Sequence, residues 1–325
     1  MATRLLITGG AGFIGSNLVE RFLDDDRVSL VRVIDDLSNG YLENIEPFLT
    51  HPRFEFVQGD ICDYGTCRQV MRGITKVSHQ AALGSVPRSL ENPMRTNEVN
   101  VGGTVNVLHA AKEAKVERVV LAFSSSTYGD SPRLPKVEDY IGRPLSPYAV
   151  SKYAAELYAE VFARAYGLPF IGLRYFNIFG PRQNPNNPYA AVIPIFCKAF
   201  LEGVPPKING DGHTTRDFTY VENAVLANEL ALFTESGQAI NQVYNVACGE
   251  QVSLNQMVEM LRRISGKDLR PVYGPERLGD VRHSQADITK IRHHLGYEPR
   301  VYMQEGLQRA YEYYAKTLVH HPLPS

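Results

Sequence analysis

The chain has no tryptophan and only four cysteines among its 325 residues, and it carries almost no net charge. Its cysteines, Cys62, Cys67, Cys197 and Cys248, are scattered and lack the second pair or the histidines that a zinc site needs. We therefore expect buried free thiols and no metal. With 34 basic and 35 acidic residues, the chain gives no electrostatic reason to expect nucleic acid or an anionic membrane as a partner.

Long apolar runs, internal repeats and low-complexity tracts are also missing. No uninterrupted hydrophobic stretch approaches the about twenty residues that a membrane-spanning helix requires. The N terminus, Met1-Ala2-Thr3-Arg4, enters an apolar segment directly, without the regions of a signal peptide. We therefore expect a cytoplasmic protein. Its length suits one large α/β domain, or a cofactor domain with a smaller appendage, and leaves room for a deep pocket.

The first half of the chain alternates short β-branched runs with helical patterns. The strand candidates are Arg4–Thr8, Leu30–Ile34, Phe54–Val57, Lys76–His79, Arg118–Phe123 and Phe170–Leu173. The helix candidates are Gly12–Asp24, Tyr64–Arg72, Thr96–Ala114 and Pro147–Tyr166. This alternation predicts an α/β fold, a Rossmann-type doubly wound parallel sheet covered on both faces. Ligands of such folds bind beyond the carboxyl ends of the strands.

A glycine-rich turn follows the first predicted strand. Gly9, Gly12 and Gly15 have the spacing G-x-x-G-x-x-G between a buried strand and a helix start, which lets backbone N–H groups approach a pyrophosphate. Asp35 and Asp36 end the second strand, where a carboxylate accepts hydrogen bonds from ribose hydroxyls and repels a 2′-phosphate. The pattern predicts NAD binding, although such a turn can hold glycine for packing and Asp36 can be a solvated turn residue.

The character of the sequence changes after Asn177. A loop-like stretch over Phe179–Pro188 precedes a predicted helix over Ala191–Glu202 and a turn over Asn209–Gly212. We expect residues 1–176, with a return segment at about 218–248, to form an NAD-binding Rossmann domain. Residues 177–217 and 249–325 are expected to form a smaller α/β substrate-binding lobe.

Tyr148 and Lys152 lie four residues apart at the start of a helix that Ser146-Pro147 announces. At that spacing both side chains share one helix face. Lowering the pKa of a tyrosine from near 10 to about 7 requires roughly 4 kcal/mol. An ammonium about 4 Å away supplies a similar amount at an effective dielectric near 20. The spacing alone is weak evidence for a catalytic pair, because a chain of this composition is expected to contain about 0.5 Tyr-x-x-x-Lys matches by chance.

A run of hydroxyl residues supports the pair. Phe123 to Gly129 reads Phe-Ser-Ser-Ser-Thr-Tyr-Gly at the end of a predicted buried strand, where the active sites of α/β folds lie. Serines in a turn can simply satisfy local backbone groups. The glycine turn, the carboxylate, the serines and the Tyr/Lys pair, in this order, predict an enzyme that transfers a proton and a hydride.

These motifs resemble the extended short-chain dehydrogenases/reductases over essentially the whole chain, and within them the UDP-hexose 4-epimerases, especially those acting on N-acetylated sugars. The matching stretches are Thr8–Gly15, Gly59–Ile61, His79–Ala82, Asn100, Ser124, Tyr148–Lys152, Arg174–Asn177, Arg216–Phe218 and Gly279–Ser284. The resemblance implies a UDP-N-acetylglucosamine 4-epimerase with tightly bound NAD, a UDP-sugar substrate and a homodimeric state through the Thr96–Ala114 and Pro147–Tyr166 helices.

The same resemblance implies roles for individual residues. The catalytic group would be Ser124, Tyr148 and Lys152. The cofactor would contact these three and Gly9, Gly12, Phe13, Ile14, Gly15, Asp35, Asp36, Leu37, Ser38, Asn39, Gly40, Asp60, Ile61, Gln80, Ala81, Ala82, Asn100 and Phe176. The substrate would contact Ser85, Ser125, Ser126, Asn177, Val192, Lys207, Ile208, Arg216, Arg277, Asp280, Arg282 and Ser284. Arginine suits phosphate oxygens, but Arg216 and Arg282 can equally be surface ion pairs.

Two features narrow the expected reaction. Related dehydratases and decarboxylases have acidic residues where this chain has Ser125 and Ser126, so no carboxylate serves elimination. Glucose/galactose-only epimerases have a bulky tyrosine at the position of Ser284, and a small side chain leaves space for a 2-acetamido group. The alternatives are a UDP-glucose/UDP-galactose 4-epimerase, a UDP-sugar decarboxylase or dehydratase, and a redox-sensing regulator without chemistry. An intact Ser/Tyr/Lys group disfavours the regulator.

Overall fold

A computed structural model describes residues 2–276 and 282–320 of the chain. Its main sheet contains seven parallel strands in the spatial order β11-β6-β5-β4-β1-β2-β3. The strands along the chain are β1 Thr3–Thr8, β2 Val28–Asp35, β3 Phe54–Gln58, β4 Lys76–His79, β5 Arg118–Ser124, β6 Phe170–Tyr175, β7 Ile178–Phe179, β8 Lys207–Asn209, β9 Thr215–Arg216, β10 Thr219–Tyr220, β11 Gln242–Val246, β12 Val252–Ser253 and β13 Val272–Gly274. The predicted doubly wound α/β fold is confirmed.

Alternating side chains of the strands fill two separate cores. Leu5, Ile7 and Val33 point into one core, whereas Leu6 and Ile34 point into the other. Because successive strand residues face opposite sides, apolar side chains at nearly every position require helices on both faces of the sheet. The continuous hydrophobic runs in the sequence therefore indicated this architecture correctly.

Eleven α-helices cover the sheet and extend beyond it within the described residues. They are α1 Phe13–Leu23, α2 Tyr64–Val70, α3 Val86–Glu91, α4 Pro93–Asn97, α5 Thr104–Glu113, α6 Pro147–Tyr166, α7 Val192–Glu202, α8 Val221–Phe233, α9 Leu254–Ser265, α10 Thr289–Leu295 and α11 Met303–His320. Helices α1, α8 and α10 pack into one core of the sheet, and α2, α5 and α6 pack into the other. The helix predicted over Pro147–Tyr166 has those bounds in the structure.

The helix predicted over Thr96–Ala114 is wrong as a single element. Helix α4 begins at Pro93 and ends at Asn97, a π-helical segment spans Glu98–Gly103, and α5 follows. The side chain of Asn100, inside the π segment, bonds both the N–H and the C=O group of Leu83. This long-range contact and the poor helix propensity of a glycine pair explain why local periodicity missed the irregular turn.

A third hydrophobic core lies in the second half of the chain. Helices α7, α9 and α11 pack together around Phe196, Met257 and Leu307. Short strand pairs, β7 with β10, β8 with β13 and β9 with β12, surround this core. Strand β11 returns to the edge of the main sheet beside β6. The division into a cofactor domain and a substrate lobe stays a prediction.

All four cysteines are free thiols, and three of them are buried, with Cys62 partly exposed. Within residues 2–276 and 282–320, no helix is long and apolar enough to cross a membrane.

Candidate active site

A cleft of about 680 Å³ opens beyond the carboxyl ends of the main-sheet strands. Most of the residues predicted from the sequence line it. Those on its wall are Gly9, Gly12, Phe13, Ile14, Gly15, Asp35, Asp36, Ser38, Asn39, Gly40, Asp60, Ile61, Gln80, Ala81, Ala82, Ser124, Ser125, Ser126, Tyr148, Lys152, Asn177, Arg216 and Ser284. Those that follow a main-sheet strand meet there because the parallel topology collects the ends of β1 to β6 at one edge.

The glycine turn between β1 and α1 leaves no space for side chains. Gly9 has a φ of +69°, and a Cβ there would lie 2.7 Å from backbone atoms of Ala81. A Cβ on Gly15 would lie 2.1 Å from the carbonyl oxygen of Gly9. Among the described residues, no side chain caps the N terminus of α1. The first amides of α1 can therefore serve an anionic ligand such as a pyrophosphate, which fits a dinucleotide.

The two aspartates at the end of β2 have different surroundings. Asp35 is buried, and its carboxylate accepts hydrogen bonds of 2.9 Å from the N–H groups of Ala11 and Leu37. Burial raises the pKa of Asp35. Asp36 is half-buried on the cleft wall and accepts hydrogen bonds from the N–H and hydroxyl groups of Ser38. Asp35 thus holds the glycine turn, and Asp36 is better placed for ribose hydroxyls.

Tyr148 and Lys152 occupy the first two turns of α6. Ser146 caps this helix by accepting a hydrogen bond from the N–H group of Ala149, and Pro147 fits the first turn because it needs no donor. The ammonium of Lys152 donates to the carbonyl oxygen of Ala122 at 2.9 Å. Burial lowers the pKa of Lys152 to about 8. The helix start therefore fixes both groups on the cleft wall.

The pKa of Tyr148 differs from the sequence-based expectation. Burial of its hydroxyl raises this pKa, and a hydrogen bond with Ser124 lowers it to a lesser extent. We expected Lys152 to lower it below its ordinary value. Desolvation of the phenolate is the larger effect, so the pKa of Tyr148 lies above its ordinary value.

His79 joins the cleft to the interior through two threonines. Its ring nitrogens form hydrogen bonds of 2.7 Å with the hydroxyl of Thr8 and 2.9 Å with the hydroxyl of Thr104. The Thr8 hydroxyl also accepts a hydrogen bond from the N–H group of Ala81. Burial, with a smaller effect of Lys152, lowers the pKa of His79 to about 3. His79 is therefore a neutral buried residue that orients the wall carrying Gln80 and Ala81.

The opposite side of the cleft carries Asn177, Arg216 and Ser284. The N–H group of Ser284 donates to the carbonyl oxygen of Thr215 at 3.1 Å, which aligns its segment with β9. Asp217, the residue after Arg216, is fully buried. Its carboxylate accepts hydrogen bonds from the N–H groups of Cys248, Gly249 and Ala286. Burial raises the pKa of Asp217 to about 7. This carboxylate ties together the backbone segments behind Arg216 and Ser284.

Three predicted cofactor residues lie behind the cleft wall. Phe176 is fully buried and packs against the ring of Tyr128. Asn100 is buried and bonds the backbone of Leu83. Leu37 adopts a φ of +60° and packs against the core that contains α1. Direct contact of these side chains with a ligand stays a prediction. In the structure they pack against or bond to the segments that form the cleft wall.

Several predicted substrate residues are also away from the wall. Arg282 forms an ion pair with Asp211 at 2.8 Å, which is the surface alternative left open for it. Ser85 caps α3, and Val192 begins α7. In β8, Lys207 is exposed and Ile208 is buried in the third core. Arg277 and Asp280 lie outside the described residues, as do Gly279 and Val281.

Sequence reasoning missed part of the wall. Arg88 and the loop residues Arg182, Asn187 and Tyr189 line the cleft. The side chain of Asn39 accepts hydrogen bonds from Arg88 at 3.0 Å and from Asn187 at 3.3 Å, so this loop folds back over the β2 side. Its composition predicted a loop, but composition does not reveal which distant residues a loop reaches.

Comparisons with known proteins agree with this geometry. A model of the NAD-dependent epimerase/dehydratase family matches residues 5–247. The UDP-glucose 4-epimerase of Mycolicibacterium smegmatis is 38% identical over 315 residues, which cover 96% of this chain and 98% of that protein.

Two solved structures are similar over almost their whole length. One is the UDP-glucose 4-epimerase of Thermotoga maritima with UDP-glucose, at 38% identity and a TM-score of 0.91, covering 97% of this chain and 100% of that chain. The other is the UDP-N-acetylglucosamine 4-epimerase of Methanobrevibacter ruminantium with UDP-N-acetylmuramic acid, at 36% identity and a TM-score of 0.91, covering 97% and 99%.

Proposed function

This chain belongs to the NAD-dependent epimerase/dehydratase family, and on that premise we propose that it is a UDP-N-acetylhexosamine 4-epimerase. It interconverts UDP-N-acetylglucosamine and UDP-N-acetylgalactosamine by inverting C4 of the sugar. The observation that carries the proposal is the meeting of Tyr148, Lys152 and Ser124 on one wall of a cleft that also holds the glycine turn, Arg216 and Ser284.

The three catalytic residues divide the proton transfer among them. Ser124 hydrogen-bonds the sugar 4-hydroxyl, and Tyr148 as phenolate accepts its proton. Burial raises the pKa of Tyr148, and the positive charges of Lys152 and of a bound nicotinamide ring would offset that rise. Lys152, fixed by its bond to Ala122, stabilises the phenolate by its charge. On the return step Tyr148 gives the proton back to the oxygen of the 4-keto sugar. No net proton is gained or lost, as an isomerisation requires.

Bound NAD would supply reversible hydride transfer at C4 of the sugar. The glycine turn and Asp36 would hold this cofactor. Arg216 would hold the diphosphate of the substrate while the keto sugar rotates, because forked donors match phosphate oxygens. Binding energy from the UDP portion thus keeps the substrate in the cleft while its sugar rotates.

Two features of the cleft support the choice of reaction and substrate. Ser125 and Ser126 line it where elimination needs a carboxylate, which favours epimerisation over dehydration. The hydroxyl of Ser126 is buried without a hydrogen-bond partner among the described residues, so it is available to a polar substrate. Ser284 on the wall offers space for a 2-acetamido group.

Proton NMR of the purified protein tests the proposal. The protein is incubated separately with UDP-N-acetylglucosamine, UDP-glucose and UDP-glucuronate, without added NAD. A galacto-configured product of unchanged mass from the acetylated sugar is the expected result, and it also indicates retained NAD. Reaction of UDP-glucose alone would leave C4 epimerisation standing and overturn the acetylated substrate. A product of different mass from UDP-glucuronate would overturn epimerisation.

We also propose a homodimer, with residues 177–217 and 249–325 as the substrate lobe of each subunit. Helix α6 leaves Val150, Leu157, Tyr158 and Val161 more than two-fifths exposed, a stripe that a second copy of the chain can cover. Light scattering at micromolar concentration is expected to give twice the mass of the chain. The mass of one chain would overturn this proposal.

A further inference from the structure

A buried ion pair lies one helical turn beyond Lys152. Glu156 follows Lys152 by four residues on α6, so the two side chains share one face of the helix. Glu156 is 2% exposed, and its carboxylate accepts hydrogen bonds from Arg174 on β6, from Nε at 3.0 Å and from Nη2 at 2.7 Å. A forked bond of this kind fixes the carboxylate in one orientation.

The same carboxylate reaches the turn that carries the substrate serines. The hydroxyl of Thr127 donates to Glu156 at 3.2 Å, and Thr127 lies in the 3₁₀ turn Ser125–Tyr128, directly after Ser124. Arg174 also donates to the hydroxyl of Tyr128 at 3.1 Å. Glu156 therefore joins the helix of Tyr148 and Lys152, strand β6 and the turn after Ser124.

Glu156 also acts on Lys152 through its charge. Burial lowers the pKa of Lys152, and the negative charge of Glu156 opposes that effect. Burial raises the pKa of Glu156 itself, and its hydrogen bonds and ion pair with Arg174 oppose that rise. The forked bond from the Arg174 guanidinium favours the ionised carboxylate. Other charged and titratable side chains surround Lys152 and Glu156. They are Tyr148 and exposed Glu160 on α6, neutral His79 on β4, Arg174 on β6, and Tyr128 and Glu138 beyond Arg174.

We propose that Glu156 is a positioning residue of the reaction: it holds Lys152 as an ammonium and, with Arg174 and Thr127, fixes the turn after Ser124 against α6. The inference rests on the proposed epimerase function and on the roles of Tyr148 and Lys152. Glu156 lies behind the groups of the cleft and acts through them.

The test compares the pH dependence of kcat in the wild type and in Glu156→Gln, each as NAD-loaded enzyme. Glutamine keeps the shape and an acceptor for Thr127 but loses the charge, which leaves Arg174 uncompensated near Lys152. We expect the alkaline limb of kcat to move about one pH unit lower, a tenfold change in the ratio of ammonium to amine. The KM for the UDP-sugar and the NAD bound per subunit should stay within about twofold, since neither ligand touches Glu156.

Three further variants separate charge from structure. Glu160→Gln makes the same chemical change at an exposed site on the next turn of α6 and should leave the limb in place. Glu156→Asp keeps the charge, so the alkaline limb of its kcat–pH profile should lie at the same pH as in the wild type, even if kcat itself is lower. Thr127→Val removes only the bond to the turn and should lower kcat severalfold without moving the limb.

The outcomes are distinct. A folded Glu156→Gln variant with an unmoved limb, or an equal shift in Glu160→Gln, overturns the inference. If Glu156→Gln does not fold, the other two variants decide. A shifted alkaline limb in Glu156→Asp, or an unchanged kcat in Thr127→Val, overturns the inference. An unmoved limb in Glu156→Asp together with a lower kcat in Thr127→Val supports it. A wild type inactive on every UDP-sugar would instead overturn the proposed function.

Discussion

The ammonium of Lys152 donates a 2.9 Å hydrogen bond to the carbonyl oxygen of Ala122, on the strand that ends at Ser124. This bond places the charge between the helix and the strand that carry the other two catalytic candidates. Because burial lowers the pKa of Lys152 to about 8, its charge is present below that pH and lost above it. We therefore expect kcat to fall as the pH rises through about 8.

Replacement of Lys152 tests whether its ammonium is required for turnover. Lys152→Met keeps an unbranched side chain one atom shorter and removes the charge, and kcat at pH 7 should fall by about 10²–10³ because the phenolate is no longer stabilised. Steady-state rates between pH 6 and 10 measure both effects. Lys316→Met, on the exposed side of α11, is the matched control. A wild-type rate that keeps rising to pH 10 would contradict the role of the ammonium.

Removal of the Tyr148 hydroxyl should separate chemistry from binding. Tyr148→Phe keeps the ring on the cleft wall and loses only the proton acceptor, so turnover should drop at least about 10³-fold. Affinity for UDP, measured by calorimetry, should stay within about threefold because the nucleotide does not need the hydroxyl. Tyr153→Phe, on the same helix but not part of the cleft wall, should behave as wild type. Near-normal turnover of Tyr148→Phe would remove this residue from the mechanism.

The glycine turn makes a prediction about the cofactor. A Cβ at Gly15 would lie 2.1 Å from the carbonyl oxygen of Gly9, so Gly15→Ala must displace α1 from the turn. We expect a loss of about 1–3 kcal/mol in unfolding free energy and protein purified with little NAD. Absorbance of extracted cofactor and thermal unfolding provide the two readouts. Gly237→Ala, where no atom lies within 4 Å of the added carbon, should change neither.

Local signals in the sequence predicted most of the fold and much of the cleft. Strand β4 and helix α6 have the predicted bounds, and the bounds of α6 were predictable because its Ser146-Pro147 start is a local feature. The glycine turn and the Tyr/Lys pair were found for the same reason. These motifs need only their neighbours along the chain to be recognised.

Contacts between distant segments escaped the sequence. The spacing of Lys152 and Glu156 is visible in the chain, but the pairing of Glu156 with Arg174 depends on β6 lying beside β5. The surface pairing of Arg282 with Asp211 likewise depends on the path of the second half. The raised pKa of Tyr148 depends on how deeply its hydroxyl is buried. Burial and long-range pairing are properties of the folded chain and cannot be deduced from spacing.

His79 should make the protein sensitive to acid. Its pKa is about 3 in the folded chain, against an ordinary 6.5, so the folded state binds the proton less well than the unfolded state. The stabilisation is therefore complete above pH 6.5 and is lost as the pH falls toward 3. Between pH 7.5 and 4.5 this group alone should reduce the unfolding free energy by about 3 kcal/mol.

Urea unfolding of His79→Gln at both pH values measures that contribution. The variant should be less stable than wild type at pH 7.5, because the bridge between Thr8 and Thr104 is weakened. It should lose less stability on acidification, so the difference between the two proteins narrows at pH 4.5. His213→Gln removes an exposed histidine and serves as control. A constant difference at both pH values would show that His79 does not titrate as its burial implies.

Ser284 should decide which sugars enter the cleft. Its backbone is fixed by the bond from its N–H group to Thr215 and its side chain lies on the wall, so Ser284→Tyr places a ring in the space proposed for the acetamido group. We expect kcat/KM for UDP-N-acetylglucosamine to fall about 100-fold through steric exclusion. The value for UDP-glucose, which has only a hydroxyl at C2, should change less than about threefold.

The ratio of the two kcat/KM values is the quantity that tests this gate. A general disturbance of β9, which contains Arg216, would lower both values together and leave their ratio unchanged. Ser284→Ala keeps the side chain small and should leave the ratio at its wild-type value, which separates the size of the side chain from its hydroxyl. If Ser284→Tyr still prefers the acetylated sugar, the acetamido group lies elsewhere in the cleft, and the substrate preference must come from residues other than Ser284.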